Sequence, residues 1–241
     1  MSTLETLLSA QSLYSARPST DLMLTDDAST NPEPAASTSR PPRQERGQRR
    51  LDEILDAAES LITEVGPAAC SIQEIAKRAG ASVGSIYHFF PTKDAIFSAI
   101  RARYDVEASA IAANILTHAT EWARLDLEDF VHHVMSPFAD FLERIPAFFA
   151  LASAAGHKLP KNKDVDATVR AAMLTALAHR WPDATPEARA MRVDVMMAIG
   201  DGVSNVMVQA DPAGRRLLVA ELTRAVYGYL STFERAVHLN A

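Results

Sequence analysis

A single cysteine, Cys70, stands among 241 residues, so no disulfide closes within the chain, and a reducing cytoplasm suits it. No apolar run approaches the ~18 residues that a membrane span requires, and no basic leader precedes an apolar core at the N-terminus. A soluble, cytoplasmic protein is expected. H-E-x-x-H, Walker A and G-x-G-x-x-G patterns are all missing, which weakens the motif-level case for an enzyme or a cofactor. Alternating apolar and polar runs bounded by turn signals are missing too, so no sheet is expected. His132 and His133 are adjacent, diverge by about 100° on a helix, and do not make a metal site of the i, i+4 kind.

Net positive charge is also lacking: the chain carries −6. Its distribution is uneven. Residues 40–104 hold ten Lys and Arg against eight Asp and Glu, while the segments on either side are acidic. Arg40, Arg43, Arg46, Arg49 and Arg50 are opposed there only by Glu45 and form a basic arm. Either the arm is a soluble tether, or Arg40 and Arg43 enter a minor groove. An apolar fraction of 48% supplies a globular core. Residues 1–45, rich in Ser, Thr, Pro, Ala and Asp, are expected to be a disordered extension, with at most a short transient helix at Leu4 to Leu13.

From residue 48 the pattern turns helical. Leu51, Ile54, Leu55, Ala58, Leu61, Ile62 and Val65 make one apolar stripe, stopped by Gly66-Pro67. Ser71 and Glu74 form a capping box for a second helix lined by Ile72, Ile75, Ala76 and Ala79 and ending at Gly80. Ser82 caps a third, SVGSIYHFF, closed by Pro91, and Thr92 caps a fourth that runs to Leu116. Further helices are expected at about 126–144, 146–156, 164–181, 186–209 and 213–238, punctuated by Pro146, Pro160, Pro182 and Pro212.

The two short helices joined through Ala79-Gly80-Ala81 have the spacing of a helix-turn-helix, which a plain helical hairpin also satisfies. The third helix adds to the case. Ile86 and Phe90 turn to the core, leaving Val83, Gly84, Ser85, Tyr87, His88 and Phe89 on or beside an outward face that is small at its N-terminal end, as entry into a major groove requires. Lys93 puts a cation within reach of a phosphate. Taken singly, Tyr87 also fits a half-buried core aromatic, and His88 a solvated surface side chain.

The stretch ILDAAESLITEVGPAACSIQEIAKRAGASVGSIYHFFPTKDAIFSAI, through Gly66, Ser71, Ile75-Ala76, Ala79-Gly80, Ser82, Gly84, Ile86-Tyr87, Phe90, Lys93 and Ile96, resembles the DNA-binding domain of the TetR/AcrR family of transcriptional regulators. The resemblance covers about fifty of the 241 residues. It implies an all-α protein with an N-terminal three-helix, homeodomain-like DNA-binding domain at 46–104 and a larger helical ligand-binding and dimerisation domain at 105–241. It places Gln73, Val83 and Ser85 at bases and Tyr87, His88 and Lys93 at phosphates. Ser71 turns helix amides toward phosphate, Arg46, Arg49 and Arg50 lie beside DNA, and Ser82 and Gly84 complete the set. Phe89 departs from the family pattern, which commonly has His or Tyr there, so it packs on the first helix or on a sugar.

For the C-terminal domain the resemblance implies a pocket for a small-molecule effector, for which His132, Met135, Phe138, Phe141, Phe149, Met173, Trp181 and Met196 are candidates. Simple core is the competing account of each. MMAIGDGVSNVMVQA combines small residues Ala198, Gly200, Gly202 and Ser204 with Met197, Val203, Val206 and Met207, and LLVAELTRAVYGYL supplies Leu217, Leu218, Leu222, Val226 and Leu230. These helices either complete the protomer core or pair across a two-fold axis, with Gly200, Val203, Met207, Leu218, Leu222 and Val226 as expected dimer residues. The expected function is a homodimeric repressor released from a palindromic operator. Its rivals are a helical scaffold protein without ligand control and an all-helical enzyme using His132 or His157 as base. Cys70 is expected to be an inert, partly buried thiol rather than an oxidant sensor.

Overall fold

The computed structural model describes residues 43–156 and 162–239. His157 and Pro160, with the whole segment before Arg43, lie outside the described residues, as do the side chains of Arg43 and Gln44 and those of residues 235–239. Among the described residues there are nine helices and no strand: α1 (Arg43–Ala69), α2 (Ile72–Arg78), α3 (Val83–Phe89), α4 (Lys93–Trp122), α5 (Leu127–Arg144), α6 (Pro146–Ala154), α7 (Lys163–Arg180), α8 (Pro186–Met207) and α9 (Pro212–Leu239). The expected all-α architecture is what the chain forms.

Caps set most of the boundaries. Hydroxyl or carboxamide oxygens of Ser71, Ser82, Thr92, Asn162 and Thr185, and the carboxylate of Asp126, each accept a backbone N–H from the first turn of the helix that follows. Three boundaries differ from expectation. α1 begins at Arg43 rather than near 48, because the polar lead-in RQERGQ contains good helix formers although it has no apolar stripe. Gly66, at φ 78°, turns α1 sharply and a further turn follows it, which leaves Val65 exposed rather than on the packed stripe. α4 continues to Trp122, since nothing in THATEW breaks a helix.

Two apolar cores result. The first joins Ile54, Leu55, Ala58 and Ile62 of α1 to Ile75, Ile86, Phe90, Ile96 and Ile100, and also takes in Phe141, Ile145 and Phe149 from α5 and α6. The second lies among α4, α5, α7, α8 and α9 around Ile115, Phe130, Val134, Ala176, Leu177, Val193 and Leu230. α4 belongs to both and packs along α7, while α6 lies on α1. The expected boundary at 104/105 therefore falls inside one unbroken helix. Tyr104 is buried there against Phe141 and Phe148.

Polar ties reinforce the α1–α4 joint and, separately, the second core. Arg103 of α4 reaches Asp52, Asp56 and Glu59 of α1 at 3.3, 2.6 and 3.0 Å. Arg180, almost wholly buried, donates to the carbonyl of Leu125 at 2.8 Å, pairs with Glu234, and stacks on Phe130.

Candidate nucleic-acid interface

The turn between α2 and α3 is built from backbone bonds. Gly80 sits at φ 58°, Ala81 N–H donates to Ala76 C=O at 2.8 Å, and Gly80 N–H donates to Lys77 C=O at 3.3 Å, the paired bonds of a Schellman C-cap. The outward carbonyls of Ala79 and Gly80 are then taken by the guanidinium of Arg50, at 3.1 and 2.8 Å, while Glu53 holds the same guanidinium at 2.7 Å. Arg50 is thus committed to bracing the turn from α1, a role thirty residues away in sequence that no local pattern reveals. On the other side Arg78 of α2 forks onto Glu64 of α1 and reaches Ser60 at 2.7 Å. That pairing holds the Glu64 carboxyl below its ordinary range.

With Ile86 and Phe90 buried beneath it, α3 turns Gly84, Tyr87 and His88 to solvent and keeps Val83 and Ser85 half-buried along the same edge. Tyr87 is 50% exposed and lies outside both cores. A Cβ placed on Gly84 would meet only Ser82 Oγ, at 4.0 Å, so nothing inside the protomer demands a glycine there. Gln73 and Ser82 are exposed, Ser71 is half-buried, and Arg46 and Arg49 extend freely from the first turns of α1. Lys93 is half-buried: its Nζ donates to Pro67 C=O at 3.2 Å and lies 5.5 Å from the Phe97 ring centroid. Two of its three donors remain available. Phe89 packs against the N-terminal core, its ring edge-on to His88. Cys70 is buried, and desolvation pushes its thiol pKa up, which makes it a poor nucleophile.

The eight candidate effector residues are not gathered into one cavity. Phe141 and Phe149 belong to the first core; Met173, Trp181 and Met196 belong to the second, with Met135 and Phe138 packed against it. His132 is exposed on α5. A cavity of about 120 Å³ does open where α5 meets α6, but of the eight only Phe149 lines it. Arg215 and Arg216, which line it as well, did not stand out in the sequence, because an arginine near a helix start carries no periodic signal.

The expected dimer residues need a correction. Met207, Leu222 and Val226 are buried inside the protomer, and Leu230 with them, so they are not available to a partner. Gly200, Val203 and Leu218 are half-buried. The exposed large apolar residues of these helices are Met191 (65%), Val206 (57%), Leu217 (69%) and Tyr227 (40%). Val206 and Tyr227 each stand one position from a buried neighbour, Leu217 one position from half-buried Leu218, and consecutive helical residues point about 100° apart. Both faces of α8 and α9 are apolar, so periodicity alone could not choose between them.

Family comparisons agree with this architecture. The model described as "Bacterial regulatory proteins, tetR family" matches residues 54–100, and "Tetracyclin repressor-like, C-terminal domain" matches residues 126–230. Two uncharacterized HTH-type transcriptional regulators, from two strains of Mycobacterium tuberculosis, are each 43% identical over 54 residues, which is 22% of this chain and 27% of theirs. The likeness thus spans about a quarter of those relatives' length. A tetR-family transcriptional regulator from Streptomyces coelicolor shares the fold at a TM-score of 0.50 and 20% identity, over 77% of this chain and 82% of that one. No described helix is long and apolar enough to cross a membrane. The helix-turn-helix segment and the helical domain behind it are each matched, and the chain belongs to the tetR family of bacterial regulatory proteins.

Proposed function

We propose that the protein acts in the bacterial cytoplasm as a homodimeric repressor that seats α3 in the major groove of each half of a palindromic operator and leaves it when a small molecule binds. The observation that carries this reading is Gly84. A glycine in the first turn of an exposed helix costs stability relative to alanine, and here it has open space around it. The demand for a missing side chain then comes from outside the protomer, from a surface approaching as closely as a groove wall does.

The neighbours supply the remaining contacts. Val83 and Ser85, with Gln73 of α2, meet base edges, Val83 favouring a thymine methyl. Tyr87, His88 and Lys93, with Ser71 and Ser82 at the helix starts, hold phosphates, and Arg46 and Arg49 add charge from α1. Arg50 serves this surface indirectly, by fixing the angle between α2 and α3.

Dimerisation uses the exposed stripe of α8 and α9. Ala198, Gly202 and Val206 recur every fourth residue on α8, beside Leu217, Ala220 and Tyr227 on α9, and small residues let helices approach closely across a two-fold axis. Half-sites one turn apart lie about 34–36 Å from centre to centre, so a ligand that changes the separation of the two α3 helices by several ångströms prevents both from seating. Residues 46–104 form the reading head, and residues 105–241 the switch and dimer element. Selection of bound sequences from random duplex DNA tests the proposal. An enriched palindrome whose binding weakens steeply with salt supports it; absence of enrichment overturns it.

A further inference from the structure

Where α5 bends into α6, the end of α8 and the start of α9 close over the cavity of about 120 Å³. Its floor is apolar, with Phe149, Met207 and Val219 among its residues, and its charged lining consists of Arg215, Arg216 and Glu143. None of these three charges has an ion-pair partner among the described residues. Arg215 is the unusual one. Its Nε donates to the carbonyls of Met207 and Ala210 at 3.3 and 3.1 Å, and its guanidinium carbon lies 4.6 Å from the Phe149 ring centroid. Its two Nη groups make no hydrogen bond among the described residues. Asp211 does not neutralise it at contact, because its Oδ1 accepts Gly214 N–H at 2.6 Å and caps α9.

A partly desolvated cation with no anion in contact is an unfavourable arrangement: burial lowers the pKa of Arg215, and the charge of Asp211 offsets this only in part. An anion delivered to the Nη groups would relieve it. The apolar floor favours an anion with a hydrocarbon body over a bare inorganic one. Glu143 at the rim repels a second negative charge and so selects against dianions such as phosphate monoesters. Arg216, exposed and one position from Leu217, closes the cavity on the side next to the proposed dimer face without belonging to it.

We propose that this cavity is a binding site for a small apolar monocarboxylate, its carboxylate held by Arg215 and Arg216 and its body against Phe149, Met207 and Val219. Binding itself follows from the cavity alone; its regulatory consequence rests on the repressor reading. Phe149 is part of the core shared with α1, and α6 lies along α1. A ligand that draws Arg215 off the Phe149 ring therefore acts on the helix that touches the DNA-reading domain.

Isothermal titration of the full chain with butyrate, hexanoate and benzoate tests the site, with benzyl alcohol and sulfate as controls. Saturable binding of at least one carboxylate is expected, with neither control binding. Arg216→Ala, at an exposed position, is expected to weaken binding about tenfold, the loss of roughly one charge-assisted hydrogen bond. Val219→Trp, which fills the cavity, is expected to abolish binding while helical content is retained. If Val219→Trp does not fold, Arg216→Ala decides. No binding of any of the three carboxylates, equal binding of benzyl alcohol, or binding indifferent to Arg216→Ala overturns the site. Selection from random duplex DNA, run alongside, separates the two claims: a protein that enriches a palindrome yet ignores all three carboxylates keeps the repressor reading and loses this site. One that binds benzoate without enriching any duplex keeps the site and loses the repressor reading.

Discussion

Replacing Gly84 with alanine sets folding against DNA binding. Within the protomer the added methyl meets only Ser82 Oγ at 4.0 Å, an ordinary contact, and the backbone there needs no positive φ. Alanine exceeds glycine in helix propensity by up to about 1 kcal/mol in a helix interior. Gly84 lies in the first turn of α3, where fewer backbone bonds are at stake, so about half of that is the expected gain. For a chain of this size, 0.5 kcal/mol corresponds to a rise in Tm of roughly 1–2 °C. On the operator the sign reverses. The methyl stands between α3 and the groove wall, and a dimer introduces it twice, so operator affinity is expected to fall at least about tenfold, which is 1.4 kcal/mol. Thermal unfolding and fluorescence anisotropy on one preparation measure both. A Gly84→Ala protein that is less stable, or that binds its operator as tightly as the parent, would refute the claim that the missing side chain serves DNA rather than the fold.

Arg50→Ala removes the donors on the Ala79 and Gly80 carbonyls, and is expected to lower stability by about 1–2 kcal/mol in denaturant unfolding and to speed amide exchange in α3. Two carboxylates on α1 are expected to titrate on opposite sides of the ordinary glutamate value in carboxyl NMR: Glu59 above it, through burial, and Glu64 below it, through Arg78. Because the folded pKa of Glu59 is raised, its contribution to stability is full below the unfolded value and is lost as pH rises through the folded one; Glu59→Gln should remove that downward slope. Glu64 does the reverse, contributing above the unfolded value and losing its contribution as pH falls through the folded one. On α9, Leu217→Glu is expected to yield a folded monomer in sedimentation, whereas Leu222→Ala should cost about 2–5 kcal/mol of protomer stability. A Leu217→Glu protein that stays dimeric would place the interface elsewhere.

What the sequence made legible follows from locality. Caps act within three residues, so Ser71, Ser82 and Thr92 announced α2, α3 and α4, and Gly80 announced the turn between them. The outward face of α3 was readable for the same reason: α3 is seven residues long, and burying Ile86 and Phe90 fixes where Tyr87 and His88 point. Features set by tertiary approach were not readable. The Arg50 clamp and the Arg215 cavity join segments whose proximity no period encodes. On α8 and α9 the sequence is apolar on two faces, and only the packing of α5 against α9 decides that Leu222 and Val226 turn inward while Leu217 and Tyr227 turn out.

The two cores also constrain how a switch in this chain must work. Because α4 runs unbroken from Lys93 beside α3 to Trp122 in the second core, the N-terminal domain has no flexible linker on which to swing independently. Arg103 on three carboxylates of α1, and Phe149 inside the α1 core, fasten it further. A signal in the C-terminal domain therefore reaches α3 by moving packed helices together. Such movement favours discrete alternatives over gradual bending, because close-packed side chains have few arrangements of equal energy. To carry an operator-competent population from 99:1 to 1:99, a ligand must prefer the incompetent arrangement by about 10⁴-fold, roughly 5.5 kcal/mol. A single site would have to supply all of that preference, whereas two, one per protomer of a symmetric dimer, need only about a hundredfold each, since their contributions add in free energy. In the proposed dimer, pairing through α8 and α9 supplies a second copy of the proposed site, and with it the second contribution to release.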